Sequence, residues 1–240
     1  VFQFLEEHRV QKGEPHTHTS MGKPMGAYNI PNSELDIFFE LYQNALFNKK
    51  NLYIIEKHSD YSPILIDLDF KFEYEVHERQ YKLNHIKDSI QLYFNEIFDV
   101  FDIKKEDKRL LAFVFEKPKP YKSKGYTKDG IHIMFPFINS LPGAQYYIRE
   151  NILKKIPDVL KDLNLKNKYS DIVDRAVISK NGWFLYGSTK PKCDTYELTH
   201  IFDYELNRIE PSLYDFDDSN LAKIFSIRNK DNINIIKINS

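Results

Sequence analysis

The sequence predicts an α+β fold in which a mixed or antiparallel sheet is flanked by helices. Segments rich in β-branched and aromatic residues alternate with segments of helical periodicity along most of the chain. Three short strand-like segments then follow one another, which is typical of neighbouring antiparallel strands. Neither a Gly-x-Gly-x-x-Gly motif nor a Walker A motif occurs, so these signatures give no support to a Rossmann or P-loop fold.

Apolar side chains recur at helical spacing in four parts of the chain. The first helix should begin at Ser33, because serine is a preferred N-cap residue. Pro157 should kink or interrupt the third helix, because proline lacks the amide hydrogen that a helix interior needs. The predicted helices cover residues 33–46, 83–101, 144–163 and 216–227.

Seven segments are predicted as strands, because β-branched and aromatic residues are concentrated in them. They cover residues 51–57, 62–72, 110–117, 130–137, 172–178, 183–187 and 197–204. Residues 1–32 are predicted to be irregular, since glycines and prolines interrupt any regular period there. We therefore expect one domain over residues 1–240, with an irregular N-terminal arm at 1–32 and a helical C-terminal extension at 206–240.

The composition is that of a globular protein, with 42% hydrophobic and 29% charged residues. No apolar run approaches the roughly 18 residues of a membrane-spanning helix, so no membrane partner is expected. A single cysteine, Cys193, excludes an internal disulfide framework and a cysteine-rich zinc knuckle, and an intracellular protein is expected. The formal net charge of −1 argues against a protein that coats DNA through bulk charge.

Positive charge is nevertheless concentrated in residues 117–128, which we name the lysine segment. Its lysines lie among two prolines and one glycine, which predicts a loop that is mobile in the absence of nucleic acid. Such a run is often only a solvated surface loop. Because the segment directly precedes the predicted strand at 130–137, contact with a polyanion is the alternative interpretation.

Asp67 and Asp69 follow the apolar run Ile64–Ile66 and are separated by one residue. In a strand, alternation places both carboxylates on one face, about 6.5 Å apart along the chain. Carboxylates at this separation can bind Mg²⁺ from one side, and without a cation they repel each other. The alternative interpretation is a solvent-exposed strand end, where isolated Asp-x-Asp sequences are common.

His132 lies within an apolar predicted strand, two residues after Gly130. Histidines in such strands are often half-buried hydrogen-bonding residues rather than functional ones. Gly130 leaves room for a ligand to approach the backbone, because it has no side chain. This strand is therefore a candidate for substrate binding, with a packed histidine as the alternative.

Asp174 repeats the pattern of an acid within an apolar segment, and Asp171 is the competing candidate. The turn that follows, residues 187–191, offers Ser188 and Lys190 for binding phosphate, although it could equally be a plain surface turn. Taken together, two carboxylates, a histidine, a third carboxylate and a lysine form a set suited to two-metal phosphoryl transfer.

The order and spacing of these residues are similar to those of archaeo-eukaryotic primases. Asp67-Leu68-Asp69 resembles the first motif of that family, an Asp-x-Asp with hydrophobic neighbours. Gly130-Ile131-His132 resembles the second, in which a serine usually stands where this chain has glycine. Val173-Asp174 resembles the third, a hydrophobic residue followed by aspartate.

The resemblance extends beyond the motifs and covers most of residues 16–205. Residues 16–20, 62–70 and 173–191 resemble the primase–helicase proteins of large nucleocytoplasmic DNA viruses. Related primase-polymerases often have an arginine shortly before the Ser-x-Lys turn, whereas this chain has Gly182-Trp183-Phe184-Leu185. Any nucleotide contact made by that arginine is therefore absent here or supplied by another residue.

The resemblance implies the archaeo-eukaryotic primase fold and the synthesis of primers on single-stranded DNA from nucleoside triphosphates. It assigns two Mg²⁺ or Mn²⁺ ions to Asp67, Asp69 and Asp174. Triphosphate binding is expected at His132 and Lys190, with Ser188 and Gly130 as further candidates. Template contacts are expected at Lys119, Lys122, Lys124, His16 and His18.

Family members of this kind usually carry a helicase domain after the primase. The chain is therefore expected to be the N-terminal region of a longer protein that also unwinds DNA. The expected location is the host cytoplasm or the virion, with the nucleus as a further alternative.

Two other functions fit parts of the pattern. A two-metal nuclease uses the same kind of acid cluster to direct water at a phosphodiester. A catalytically silent module could instead bind single-stranded DNA by stacking bases on its aromatic residues, which are 15% of the chain. The His16-Thr17-His18 sequence does not predict tetrahedral zinc, because neither cysteines nor a paired acid lie near it in the sequence.

Overall fold

The computed structural model describes residues 1–211, 220–228 and 236–239. Within these ranges the strands form two sheets, and every pair of neighbouring strands in them is antiparallel. Helices pack on both sheets. The α+β class with an antiparallel sheet flanked by helices is therefore confirmed.

The central sheet has the strand order β10-β6-β8-β5, and β7 pairs with β8. Its strands are β5 (Ser62–Phe72), β6 (Ala112–Glu116), β7 (Tyr121–Ser123), β8 (Tyr126–Ser140) and β10 (Glu197–Phe202). Helices α3 (Leu83–Val100) and α4 (Pro142–Leu160) share an apolar core with one face of this sheet. In β5 the core residues alternate with polar ones, so the polar side chains of this strand lie on the opposite face.

The N-terminal sheet has the strand order β1-β3-β2-β4-β9. Its strands are β1 (Arg9–Val10), β2 (His18–Ser20), β3 (Gly26–Tyr28), β4 (Ile54–Glu56) and β9 (Trp183–Phe184). Helices α1 (Phe2–Glu7) and α2 (Leu35–Phe47) precede and follow the first three strands. Phe38 and Tyr42 on α2 are fully buried in the core of this part of the molecule.

The long predicted elements are confirmed, with small changes at their ends. The strand predicted at 62–72 is β5, and the first three predicted helices are α2, α3 and α4. Pro157 lies inside α4 without ending it. The prediction of an irregular arm at 1–32 is wrong, because its glycines and prolines lie mainly between short elements that pair into the N-terminal sheet.

The predicted strand at 172–178 is also wrong. The chain forms the short helix α5 (Tyr169–Ile172) and then a 3₁₀ turn at Ala176–Ile178. The C-terminal prediction is only partly described: α6 (Leu221–Ile224) is a single turn, and residues 212–219 lie outside the described ranges.

The lysine segment is an ordered hairpin rather than a loop, because β7 pairs with the first residues of β8. Lys124 and Gly125 form its two-residue turn with φ angles of 51° and 79°. Positive φ at both positions matches the twist of a two-residue hairpin, and glycine adopts it without strain.

No helix in the described ranges is both long enough and apolar enough to cross a membrane.

Arg149 on α4 links this helix to the segment before Asp174. Its buried guanidinium donates hydrogen bonds to the carbonyls of Val173 and Ser170, at 2.9 and 2.8 Å. Arg149→Met leaves both carbonyls without this donor, so we expect it to lower the free energy of unfolding by about 2–3 kcal/mol. Urea unfolding measures the loss. Arg175→Met is the control, because Arg175 is exposed, and an equal loss in both variants would contradict the role of Arg149.

Candidate active site

Asp67 and Asp69 lie on the face of β5 that is opposite the helical core. The pairing of β5 with β8 puts Asp67 opposite His132 and Asp69 opposite Gly130. Residues directly opposite each other in antiparallel strands have neighbouring side chains on one face. The strand register therefore brings the first carboxylate pair and His132 together.

Asp174 reaches the same place without belonging to a strand. Its N–H donates to the carbonyl of Asp67 at 3.0 Å, and Val173 pairs with Leu68 in an isolated antiparallel bridge. The Asp174 Oδ1 then accepts the N–H of Ala176, which starts the 3₁₀ turn in place of the predicted strand. Asp171 is exposed on α5 and does not line the cleft that contains Asp67 and Asp69, whereas Asp174 does.

A cleft of about 590 Å³ opens between the central and N-terminal sheets. Asp67, Asp69 and Asp174 line it together with His132. Four lysines line it as well, namely Lys117, Lys128, Lys180 and Lys190. Carboxylates and ammonium groups thus face one space, which suits a polyanionic ligand that arrives with bound cations.

The carboxylates are held close together in spite of an electrostatic cost. Burial raises the pKa of Asp67 well above its usual range, and the charges of Asp69 and Asp174 raise it further. Burial also raises the pKa of Asp69, and the charge of Asp174 contributes to this shift. Burial and the neighbouring acids therefore disfavour the ionised forms of Asp67 and Asp69.

The buried Oδ1 of Asp67 has no hydrogen-bond partner among the described residues. The Nε2 atom of His132 lies 3.5 Å away, which is too long for a good hydrogen bond. A divalent cation would supply the missing positive charge, so these residues fit a metal site. No three His, Cys, Asp or Glu side chains in the described ranges already surround a common point, so the acids are a candidate site and not a preformed cage.

His132 is held between two aromatic rings. The Tyr196 ring stacks on it at 3.6 Å between centroids, and the Trp183 ring lies 4.6 Å away. Burial lowers the pKa of His132, and with the added effect of the Lys117 and Lys190 charges the pKa falls to about 3. At neutral pH the imidazole is therefore uncharged and keeps a single N–H to donate.

Two expected nucleotide contacts are already used by the protein. A Cβ atom at Gly130 would lie 2.9 Å from Tyr196 Oη, so a side chain occupies the space that we assigned to a ligand. The Ser188 Oγ accepts the N–H of Ile54 at 2.8 Å and lies 2.8 Å from the Tyr42 hydroxyl. The assignments of Gly130 and Ser188 to nucleotide binding are therefore corrected to structural roles.

Lys190 is exposed beside the cleft, on a turn that the N-terminal sheet holds in place. Ser188 pairs with Leu52 in a parallel bridge, and the N–H of Thr189 donates to the carbonyl of Leu52 at 3.1 Å. Gly187 has a φ of 82°, which favours glycine at the start of the turn. The turn is thus anchored, and the long Lys190 side chain stays available to a ligand.

The histidines assigned to template binding differ in exposure. His18 is fully buried, with Nδ1 hydrogen-bonded to Thr17 Oγ1 and Nε2 3.5 Å from Glu56 Oε1. Its assignment to the template is therefore wrong, because no strand of DNA can reach it. His16 is partly exposed, and its role in template binding stays a prediction.

The lysine segment also divides into two kinds of residue. The ammonium group of Lys122 donates hydrogen bonds to the carbonyls of Tyr74 and Val76, so it pins the hairpin to the neighbouring turn. Lys119 and Lys124 are exposed. Lys122 is exposed as well, so the assignment of all three lysines to the template stays a prediction.

The residues of the cleft that were not predicted from the sequence include Lys117, Trp183 and Tyr196. Lys117 could have been found by extending the alternation of Phe113 and Phe115 by one step. Tyr196 could not, because it precedes β10 and reaches His132 only through the sheet order.

Residues 17–202 match the family described as "C962R protein N-terminal AEP domain", where AEP denotes archaeo-eukaryotic primase. The chain belongs to this family. The match spans β2 to β10 and includes the three aspartates, His132 and Lys190. The fold described above is consistent with the AEP fold.

Similar proteins occur in large DNA viruses. A protein of Acanthamoeba polyphaga mimivirus is 35% identical over 210 residues, which is 84% of this chain and 22% of the viral protein. A protein of Invertebrate iridescent virus 6 is 26% identical over 235 residues, covering 88% of this chain and 24% of the relative. Both are named as candidate helicases. The AEP domain thus spans about a quarter of the length of these relatives.

Asp67→Asn should stabilise the AEP domain when no divalent metal is present. Folding raises the pKa of the Asp67 carboxyl. The free energy of unfolding of the domain therefore falls as the pH rises through the pKa that Asp67 has in the folded state. The asparagine variant should therefore be more stable at neutral pH by on the order of 1 kcal/mol, and the gain should vanish at acid pH. Urea unfolding in EDTA across the pH range measures this difference.

Asp171→Asn is the matched control, because Asp171 is exposed and outside the cleft. Magnesium should then stabilise the wild type more than Asp67→Asn. A destabilised Asp67→Asn in EDTA would mean that the carboxylate is already compensated within the protein.

Proposed function

We propose that the AEP domain synthesises primers on single-stranded DNA by transferring nucleotidyl groups from nucleoside triphosphates to a 3′-hydroxyl. The observation that carries this proposal is the meeting of Asp67, Asp69 and Asp174 in one lysine-lined cleft of an AEP-family chain. In the reaction, a bond forms between the 3′-oxygen and the α-phosphorus. The bond to pyrophosphate breaks, and the hydroxyl proton is released.

The carboxylates of Asp67, Asp69 and Asp174 would hold two Mg²⁺ or Mn²⁺ ions. When bound, such ions supply positive charge that lowers the pKa of the attacking hydroxyl and stabilises the leaving pyrophosphate. The chain contributes the placement of the acids. The β5–β8 register sets Asp67 and Asp69, and the Leu68–Val173 bridge sets Asp174.

Lys190 and His132 would bind the triphosphate in different ways. Lys190 is an exposed point charge on an anchored turn, and it can follow a phosphate group as the reaction proceeds. His132 is a neutral donor whose ring is fixed between Tyr196 and Trp183. A fixed donor binds a phosphate oxygen without losing side-chain freedom.

The template would contact the exposed side of the lysine segment, through Lys119, Lys122 and Lys124. Phosphate contacts of this kind bind DNA without regard to its sequence. His16 is a further candidate for this contact.

We further propose that the AEP domain acts within a longer replication protein that also unwinds DNA. The viral relatives named as candidate helicases, of which this domain spans about a quarter, support this proposal. Replication in the host cytoplasm, or packaging in the virion, is the setting that we propose for the whole protein.

Asp174→Ala should reduce nucleotide incorporation on a circular single-stranded template by about 1,000-fold or more, because a two-metal site loses a ligand. Asp171→Ala should remain active, since Asp171 is exposed outside the cleft. Labelled deoxynucleotides and ribonucleotides are tested with Mg²⁺ and with Mn²⁺, and circular dichroism checks the fold. Degradation of labelled DNA without incorporation would favour a two-metal nuclease, and metal-independent binding without turnover would favour a silent binding module.

Replacing Lys119 and Lys124 together with alanine should weaken single-stranded DNA binding by a similar factor for any sequence. Each lost phosphate contact should reduce the log–log salt slope by about 0.7. Fluorescence anisotropy at several salt concentrations measures this slope. A double variant of the exposed Lys154 and Lys161 is the control, and equal slopes in the wild type and the hairpin variant would show that these lysines are only solvated.

A further inference from the structure

Lys117 is a second cation of the cleft that the proposed mechanism does not use. It follows the last residue of β6 and lines the cleft with Asp67 and Lys190. Only 9% of the residue is exposed. In the described part of the chain its ammonium group makes cation–π contacts but no hydrogen bond and no ion pair.

Two tyrosine rings hold this ammonium group in place. The Lys117 Nζ lies 4.3 Å from the centre of the Tyr121 ring and 5.1 Å from the centre of the Tyr196 ring. Cation–π contacts at these distances favour the charged group in part. They do not replace hydrogen-bond acceptors, so the three donor hydrogens of the ammonium group have no acceptor among the described residues.

The backbone of Lys117 is held by a hydrogen bond from Arg79. Arg79 Nη2 donates to the Lys117 carbonyl at 2.6 Å. The same guanidinium is bound by the carboxylates of Asp129 and Glu116, both of which are buried. Contacts to both the backbone and the side chain of Lys117 therefore position its ammonium group in the cleft.

The charges around Lys117 indicate what it binds. Burial lowers the pKa of Lys117, and the nearby charge of Lys190 lowers it further. The charges of Cys193, Asp194 and Asp69 favour its charged form, but no acid in the described ranges lies within ion-pair distance. Lys117 and Lys190 are two of the four lysines that line the cleft, and a ligand with several anionic oxygens, such as a phosphate group, can compensate the charges of both.

We propose that Lys117 is a phosphate-binding residue that acts with Lys190 on a phosphate of the substrate. The proposal deepens the proposed function and rests on it for the nature of that substrate. The phosphate belongs either to the triphosphate of the nucleotide or to the backbone of a nucleic acid strand. Because Lys117 shares the cleft with the three aspartates, the triphosphate is the ligand to test first.

Lys117→Met removes the charge and keeps most of the apolar stem. We expect it to weaken binding of inorganic tripolyphosphate with Mg²⁺ by about 10- to 100-fold, the range for losing a hydrogen bond to a charged group. Lys117→Arg should retain part of the affinity, because it keeps the charge. Trp183, the single tryptophan, lines the cleft, so its fluorescence can report the titration.

Tyr121→Leu tests the same site without touching the lysine. It removes one ring from the ammonium group and should weaken tripolyphosphate binding about two- to fivefold, whereas Tyr121→Phe should not. Tyr121 is partly exposed on the hairpin, so both variants should fold even if Lys117→Met does not. Lys161→Met, an exposed lysine outside the cleft, controls for the loss of one positive charge.

Each outcome decides the proposal. A loss of tripolyphosphate affinity assigns Lys117 to the triphosphate, and a loss confined to a single-stranded oligonucleotide assigns it to backbone phosphate. Unchanged affinity for both ligands in folded Lys117→Met, or equal affinity in the two Tyr121 variants, overturns it. Because these readouts are binding constants, a wild type that binds tripolyphosphate through Lys117 but incorporates no nucleotide would refute only the proposed function.

Discussion

The antiparallel pairing of β5 with β8 is the constraint on which both the core and the cleft depend. It sets Asp67 opposite His132 and at the same time turns Leu68 and Phe70 toward α3 and α4. A slip of one residue would exchange the two faces of β5 and place the aspartates in the apolar core. Burying an unpaired carboxylate there costs several kcal/mol, so the core enforces the register that the cleft needs.

The acidic side chains on the two faces of the central sheet differ in whether a basic residue of the protein pairs with them. On one face, Arg79 neutralises the buried Asp129 and Glu116, which makes that cluster part of the fold. In the cleft, by contrast, no residue in the described part of the chain hydrogen-bonds the Oδ1 of Asp67. Strain of this kind is typical of sites that gain their missing partner from a ligand.

The long elements could be predicted from the sequence, because a strong pattern over many residues determines them locally. The alternation in β5 placed its two aspartates on one face, and the helical spacing located α3. The short elements could not be predicted in this way. The segment that contains Asp174 has the sequence pattern of a strand but forms helical turns. Arg149 donates a hydrogen bond to the carbonyl of Val173, and the Asp174 side chain accepts the N–H of Ala176. Asp174 was distinguished from Asp171 by the resemblance to a family and not by periodicity.

The lysine segment could not be predicted from its local sequence either, but here a predicted loop is a regular hairpin. Its lysines, prolines and glycine resemble a mobile loop, whereas Lys122 and the turn at Lys124-Gly125 order it as a hairpin. The contribution of Lys117 depends on Tyr121 and Tyr196, which come from different strands or connections. Such contacts depend on the sheet order, which no local pattern in the sequence contains.

The polar face of β5 has a consequence for the chain before it is folded. Its partner β8 begins more than fifty residues later in the chain. During synthesis β5 is therefore made before the strand that pairs with it, and the apolar run Ile64–Ile66 is exposed to solvent until β8 has been made. Exposed runs of this kind are the ones from which aggregates begin, and adjacent charges of one sign oppose such self-association. Asp67 and Asp69 provide those charges. The charge repulsion that lowers the stability of the folded protein therefore opposes aggregation of the chain before it has folded.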